Sequence, residues 1–419
     1  MKKLICLLIC LCTLFTFCCC SGNVAEYSKL NAAAEGTFTT EHLNNATYDA
    51  AYRDFSYRFF KTVTGSDAKN LCISPLSAYM AFSLCFYGSE SLTAEEFKQT
   101  FGLSKAQAAE YCQSLYARFM QREYETESTK VNLANSVWID NKVASAVKAD
   151  YLTGATNYYD AQVFKCDFSN KGTVKAINDW CFDNTDGLIP QIIDKLDEGT
   201  ILALINALLV EAAWTEEYFP AHIKDGVFHN ANGSTSSVKF LDRKISTCYL
   251  TSDAKAFKMP LRDGFSFVGI LPNEDVSISN YCASLTAEKI ASLFANKTSS
   301  YDVYTRIPKF SMDYDVNLID TMTAMGLSRA FDSENADFKS LVEIPGENVY
   351  INKAIQKTHF EVDEKGVKAA AVTTLLGYAT SMPPQDRPFV YIYLDRPFVY
   401  MLVDDSTNLP LFIGRINSL

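Results

Sequence analysis

The chain has only four histidines in 419 residues, His42, His222, His229 and His359, and neither a GxSxG nor an HExxH motif. None of the four sits in a recognisable triad pattern, so the usual serine hydrolase and zinc protease signatures are missing. No CxxC pair occurs outside the first twenty residues. The cysteines there are Cys72, Cys85, Cys112, Cys166, Cys181, Cys248 and Cys282. An odd number without CxxC pairs is neither a disulfide framework nor a zinc site. These residues read as small buried apolar groups. No Lys/Arg cluster offsets a net charge of -11 and a pI near 5.0, which argues against a nucleic-acid partner. Neither a metal nor a cofactor is expected.

The N-terminus differs from the rest. Lys2 and Lys3 precede an apolar run, Leu4 to Phe17, that is too short to span a bilayer comfortably. It reads as a secretory signal. Cys18, Cys19 and Cys20 follow, then Ser21-Gly22-Asn23. This resembles a bacterial lipoprotein signal, although Phe17 is bulkier than usual near the cleavage site. The resemblance implies export to a cell envelope and lipidation at Cys20, with Cys19 or Cys18 as alternatives; the other reading is a plain cleaved signal. The signal is assigned to residues 1–20. Residues 21–47 are small and polar with little periodicity, and read as a flexible tether.

From Tyr48 to Thr64 the aromatic residues Tyr52, Phe55, Phe59 and Phe60 recur at helical spacing. Residues 75–101 give more helix, with Thr93 and Glu96 in a capping-box pattern. Val131 to Ile139 alternates as a strand, and residues 174–184 return to helix. Leu202 to Ala213 is an apolar run suited to a buried central strand. From Val238 onward strand patterns dominate, with one helix near 315–326. Without a linker between the helix-rich and strand-rich halves, residues 48–419 are expected to form one α+β domain. Near the end, Asp386-Arg-Pro-Phe-Val-Tyr391 recurs as Asp395-Arg-Pro-Phe-Val-Tyr400. Pro388 and Pro397 argue for strand starts or edges.

The segment Glu361 to Pro384 admits two conformations. Exposed, it is a long loop closed by Pro383-Pro384. Paired, it is a strand whose inner face would carry Val367, Ala369, Ala371, Thr373, Leu375 and Gly377, all small or apolar. The other face carries Lys368 and Tyr378. A segment able to do both is a candidate switch.

The order of short motifs resembles the serpin family over nearly the whole chain from residue 48 to 415. The motifs are Asn70-Leu-Cys-Ile-Ser-Pro-Leu-Ser77, Leu133-Ala-Asn-Ser-Val-Trp138, Ile177-Asn-Asp-Trp180 and Leu204-Ile-Asn-Ala207 with Trp214 and Phe219. Ile307-Pro-Lys-Phe310, Met325-Gly-Leu327, Ala336-Asp-Phe338 and Phe412-Ile-Gly-Arg415 complete them. The resemblance implies three β-sheets, eight or nine helices and an exposed reactive-centre loop. The loop hinge would be Glu364, Gly366, Val367, Ala369, Ala370 and Ala371. Counting sixteen residues from Glu364 places the scissile bond at Thr380-Ser381. Leu376, Tyr378 and Ala379 would contribute to recognition. Ser74, Ser77, Asn206 and Gln356 would form the family's shutter beneath the main sheet, and Trp214 would stand where the loop first inserts.

The implied activity is inhibition, without enzymatic turnover, of a target serine protease through a covalent acyl-enzyme complex. A small Thr380 preceded by Ala379 suits an elastase-like or subtilisin-like pocket; cysteine proteases are also within reach. The alternative is a non-inhibitory serpin acting as a binding module or chaperone, which Ala369 to Ala371 oppose. Two departures stand out. Val367 replaces the usual Thr or Ser, and Gln356 stands where a shutter histidine is common. The chain between Pro384 and Phe398 is also longer than the family pattern, which would lengthen the exposed loop. The molecule is expected to be a monomer that meets membranes only through a lipid anchor.

Overall fold

A computed structural model describes residues 26–31, 38–65, 69–120, 124, 129–196, 199–346, 348–367 and 387–419. Nine α-helices occur among them: α1 (Ala46–Thr64), α2 (Pro75–Gly88), α3 (Ser91–Phe101), α4 (Lys105–Met120), α5 (Ala149–Tyr159), α6 (Gly172–Asn184), α7 (Ile278–Ala283), α8 (Ala287–Ala295) and α9 (Leu318–Ala324). The first nine strands are β1 (Tyr27–Lys29), β2 (Leu71–Ile73), β3 (Thr129–Asp140), β4 (Gln162–Cys166), β5 (Leu202–Ala213), β6 (Ile223–His229), β7 (Thr235–Ile245), β8 (Cys248–Leu250) and β9 (Ala254–Pro260). The others are β10 (Phe265–Pro272), β11 (Lys297–Thr298), β12 (Asp302–Pro308), β13 (Phe310–Asn317), β14 (Ile355–Val362), β15 (Gly366–Val367), β16 (Phe389–Tyr393), β17 (Phe398–Asp404) and β18 (Pro410–Ile416).

They form three sheets, as the resemblance implies. The main sheet runs β1-β4-β3-β5-β15-β14-β13, the second β11-β8-β9-β10-β17-β18-β2, and the third β16-β12-β7-β6. Helix α2 starts at Ser74, whose hydroxyl accepts from the Ser77 N–H, with Pro75 in the first turn. It touches both β5 and β18, so its apolar surface is buried nearly all round. Helix α6 covers the other face of the main sheet, where Ile177 and Trp180 join Trp138 and Ile205 in a second core. The apolar run Leu202 to Ala213 is the central strand β5, which pairs along its length with β3.

Several expectations change. Thr93 and Glu96 do not cap a helix. Helix α3 begins two residues earlier, and the Thr93 hydroxyl accepts from the Asp337 N–H (3.0 Å). Glu96 accepts from the backbone N–H of Ser328 and Arg329 at 2.8 and 2.7 Å. Two helices, α7 and α8, interrupt the region read as strands; α8 is capped by Thr286 and turns Ile290 and Leu293 inward. Part of the segment read as a tether is docked, because β1 pairs with β4. The Asn31 side chain, 8% exposed, donates to Thr156 Oγ1 and the Ala161 carbonyl, both at 2.7 Å.

The duplicated hexapeptide takes two fates. The first copy contributes β16 at an edge, where it pairs with β12 in parallel, so the extra chain is partly strand and does not all lengthen a loop. Phe389 and Tyr391 are 60% and 53% exposed. The second copy contributes β17 between β10 and β18, and Phe398 and Tyr400 are fully buried.

Candidate functional site

The chain leaves β14 through a tight turn. The Asp363 carboxylate accepts from the backbone N–H of Lys365 (2.7 Å) and Gly366 (3.1 Å), and the Asp363 N–H donates to the Gly366 carbonyl (3.0 Å). An aspartate three residues before a glycine supports such a turn. The turn is pinned to Trp214. Its indole N–H donates to the Asp363 carbonyl at 2.8 Å and its backbone N–H to the Lys365 carbonyl at 2.9 Å. The Tyr218 N–H donates to the Glu364 carbonyl at 3.3 Å. Tyr218 packs against Trp214, and the Arg243 guanidinium lies 4.0 Å over the Tyr218 ring. Lys309 forms an ion pair with Glu364. The hydrogen bond from Lys309 outweighs partial burial and holds the Glu364 carboxyl below its ordinary value.

Two residues then enter the main sheet as β15. Val367 faces Val362 of β14 and Ala212 of β5, and is 2% exposed. Gly366 faces Ala213, where a Cβ would stand 2.2 Å from the Ala212 carbonyl oxygen. Only glycine lets the two backbones come this close. Beyond β15, strands β5 and β14 share no ladder of their own among the described residues. Two pockets lie along that seam. One is lined by Leu188, Leu209, His359 and Val367. The other is lined by Ser77, Phe82, Asn206 and Gln356.

The second pocket borders two polar clusters. On the β5 side, Asn206 accepts from the Ser77 hydroxyl and donates to Asn135 Oδ1 at 2.5 Å. Asn135 in turn donates to the Tyr159 carbonyl at 3.0 Å. On the β14 side, Gln356 takes both backbone groups of Ser74: it accepts from the N–H at 2.9 Å and donates to the carbonyl at 2.8 Å. The Ser74 hydroxyl donates to the Leu411 carbonyl at 2.9 Å. An amide matches a backbone donor and acceptor together, and carries no proton that titrates near neutrality.

The structure therefore brings Glu364, Gly366, Val367 and Trp214 together at one end of the seam, and Ser74, Ser77, Asn206 and Gln356 further along it. Ala369, Ala370, Ala371, Leu376, Tyr378, Ala379, Thr380, Ser381 and Cys20 lie outside the described residues. Tyr218 and Asp363 were not singled out in the sequence, and Lys309 and Asn135 stood inside the quoted motifs without a role. The Asp363-to-Gly366 spacing was a readable signal for one of them; the other contacts join residues far apart in the chain.

Residues 50–419 match the family model described as Serpin (serine protease inhibitor). The chain belongs to the serpin family. It is 27% identical over 376 residues to alpha-1-antitrypsin 1-4 of Mus musculus, covering 87% of each chain. It is also 27% identical to a serpin-like protein of Methanosarcina acetivorans, covering 95% of this chain and 93% of the relative. Among solved structures it resembles the thermophilic serpin tengpin in its native state, with a TM-score of 0.81 and 31% identity over 94% of this chain and all of the other. Tengpin in its latent state matches with a TM-score of 0.75 and 29% identity, covering 89% and 98%. Serpins in general are protease inhibitors, and Gln356 and the paired β15 are the details of the serpin framework as this chain builds it.

Proposed function

We propose that this serpin inhibits serine proteases by trapping them, with elastase-like or subtilisin-like enzymes preferred and cysteine proteases within reach. The observation that carries the reading is β15. The chain that leaves β14 already lies between β5 and β14, with Val367 buried and, among the described residues, the seam unladdered beyond it. The protease serine attacks the Thr380 carbonyl, an ester to Thr380 forms, and the amide bond to Ser381 breaks as the new amine takes a proton. The freed segment then extends β15 down the seam. Period-two alternation from the inward Val367 points Ala369, Ala371, Thr373, Leu375 and Gly377 inward as well. From Glu364 to Thr380 the inserted strand spans about 50 Å, enough to carry the ester-linked protease across the molecule and distort its active site. Insertion exchanges strain and exposed loop for ladder bonds. Leu376 and Tyr378 offer shifted cleavage sites. The Cys-rich leader supports export to a bacterial-type cell envelope with a lipid on Cys20, residues 48–419 acting as one monomeric domain.

Mixing the mature protein with pancreatic elastase tests this. A complex stable to heat and detergent is expected, with release of a fragment beginning at Ser381. Cleavage that leaves elastase fully active, combined with no rise in melting temperature of the cleaved protein, would overturn it in favour of a binding module.

A further inference from the structure

The N-terminal strand enters the main sheet at a defined pole. Tyr27 pairs with Cys166, Cys166 with Asp140, and the Asp140 N–H donates to the Ile201 carbonyl at 2.9 Å. This row lies beside the start of β5, whereas Trp214 and the loop hinge lie past its end. Along twelve residues of β5 the two poles are therefore separated by about 36 Å. Strand β1 runs away from its pole, since Lys29 pairs with Phe164, so the chain preceding Tyr27 leaves from the side opposite the hinge. The docking is specific. The Tyr27 ring lies 5.2 Å from Trp138 and 5.4 Å from Phe164. The Leu30 N–H donates to the Val163 carbonyl at 2.7 Å, and the Val163 N–H to Asn31 Oδ1 at 2.9 Å.

The trapped protease arrives at the same pole. Continuing the pairing of Val367 with Ala212 sets Tyr378 level with Ile201 and Thr380 opposite Gly199. Strands β1, β4, β3 and β5 and the seam follow in order, so Tyr27 lies four strand spacings from the inserted loop, about 19 Å. A protease of about 200 residues is about 40 Å across, so one centred under Thr380 covers the exit of Tyr27. Residues 20 to 27 span at most about 25 Å. With a lipid on Cys20 and β1 docked, a trapped protease does not fit between this pole and the bilayer.

We propose that this pole is the membrane-facing surface of the anchored protein and that β1 is a releasable catch on its tether. Docked, β1 holds the body close to the lipid with the reactive loop facing away. Displaced by the arriving protease, it frees the chain as far as Phe38, whose ring packs 4.5 Å from Tyr116. Residues 20 to 38 then reach up to about 60 Å, longer than the protease is wide. The inference rests on both the trapping reading and the lipid on Cys20.

The test locks the catch. Tyr27→Cys places a thiol opposite its register partner Cys166, the native cysteine of β4. The full chain is made in a bacterial host, its lipid checked by mass, and the oxidised and reduced forms are placed in phosphatidylcholine–phosphatidylglycerol vesicles. Detergent-stable elastase complex is measured there and, for comparison, with a soluble chain starting at residue 21. The oxidised form should give at least fivefold less complex on vesicles than the reduced form, and an equal yield in solution. Equal yields on vesicles overturn the catch. Absence of complex in solution for the reduced form points instead to failure of the trapping reading, and an unmodified mass to failure of the anchor; the reduced form controls for folding.

Discussion

If this serpin traps proteases as proposed, replacing Gly366 with alanine should turn it into a substrate. The added Cβ would stand 2.2 Å from the Ala212 carbonyl oxygen and 2.7 Å from the Ala213 Cα. Both obstacles are backbone, and β5 cannot yield because Ala212 is paired with Thr129 of β3 on its other side. The hinge must leave instead. Burial of Val367 is worth about 1.5–3 kcal/mol. The bonds from Trp214 to the Lys365 carbonyl and from Tyr218 to the Glu364 carbonyl add about 1 kcal/mol each. Removing β15 therefore forfeits about 3.5–5 kcal/mol, and the same obstruction persists when the cleaved loop tries to insert. Each ~1.4 kcal/mol that this obstruction adds to the insertion barrier slows insertion about tenfold, which favours hydrolysis of the acyl-enzyme. The assay is titration of elastase with wild type and Gly366→Ala, read as residual activity and as detergent-stable complex. The variant should be cleaved with elastase left active, and its melting temperature should rise less on cleavage than that of wild type. Equal stoichiometry of trapping, with an equal rise on cleavage, would refute the argument that this close approach governs insertion.

Phe398→Ala should destabilise the protein by about 3–5 kcal/mol and Phe389→Ala by no more than about 0.5 kcal/mol, measured by urea unfolding, although both stand at the same place in an identical hexapeptide. Gln356→Ala leaves the buried N–H of Ser74 unpaired, while its carbonyl keeps the bond from the Ala78 N–H, at about 1–3 kcal/mol; a melting temperature within a degree of wild type would contradict this. Asp404 supplies the pH dependence. Burial alone would raise its carboxyl, but bonds from Ser406, Arg118 and Thr407 outweigh that and hold it below the ordinary value. With the folded value depressed, its stabilisation is present above the unfolded carboxylate range and is lost as pH falls through the folded value. Arg118→Met should therefore cost up to about 3 kcal/mol at neutral pH by taking the charged partner from the buried Asp404, which keeps its bonds from Ser406 and Thr407, and less below about pH 4; urea titrations at pH 7 and pH 3.5 read the difference.

Much of the fold was legible where the local pattern and the final burial agree. The twelve-residue apolar run from Leu202 is uncharged until Glu211 and could be satisfied only inside a sheet. The aromatic repeat in Tyr48 to Thr64 marked one face of α1, which buries Tyr52, Phe55, Phe59 and Phe60. The Thr93–Glu96 spacing misled because the partners of both side chains come from residues 328–337, far along the chain. The Asp363-to-Gly366 spacing marked a turn, and the turn is there. What surrounds it was not legible, since Trp214, Tyr218 and Lys309 reach it only through the folded sheets.

By itself the sequence determined the family and the central strand, because each is written in local pattern or in the order of motifs. It could not decide between core and surface for Asp-Arg-Pro-Phe-Val-Tyr, since the two copies carry the same propensities. Tertiary structure decided that. The second copy runs between β10 and β18, with neighbours on both edges and Phe398 sealed beneath them. Among the described residues the first has β12 on one edge only, and its Phe389 stands in water. The same distinction separates β1 from a free tether. Its three residues have little drive to form a strand alone, and they are ordered by the β4 edge and by the buried bonds of Asn31 that follow.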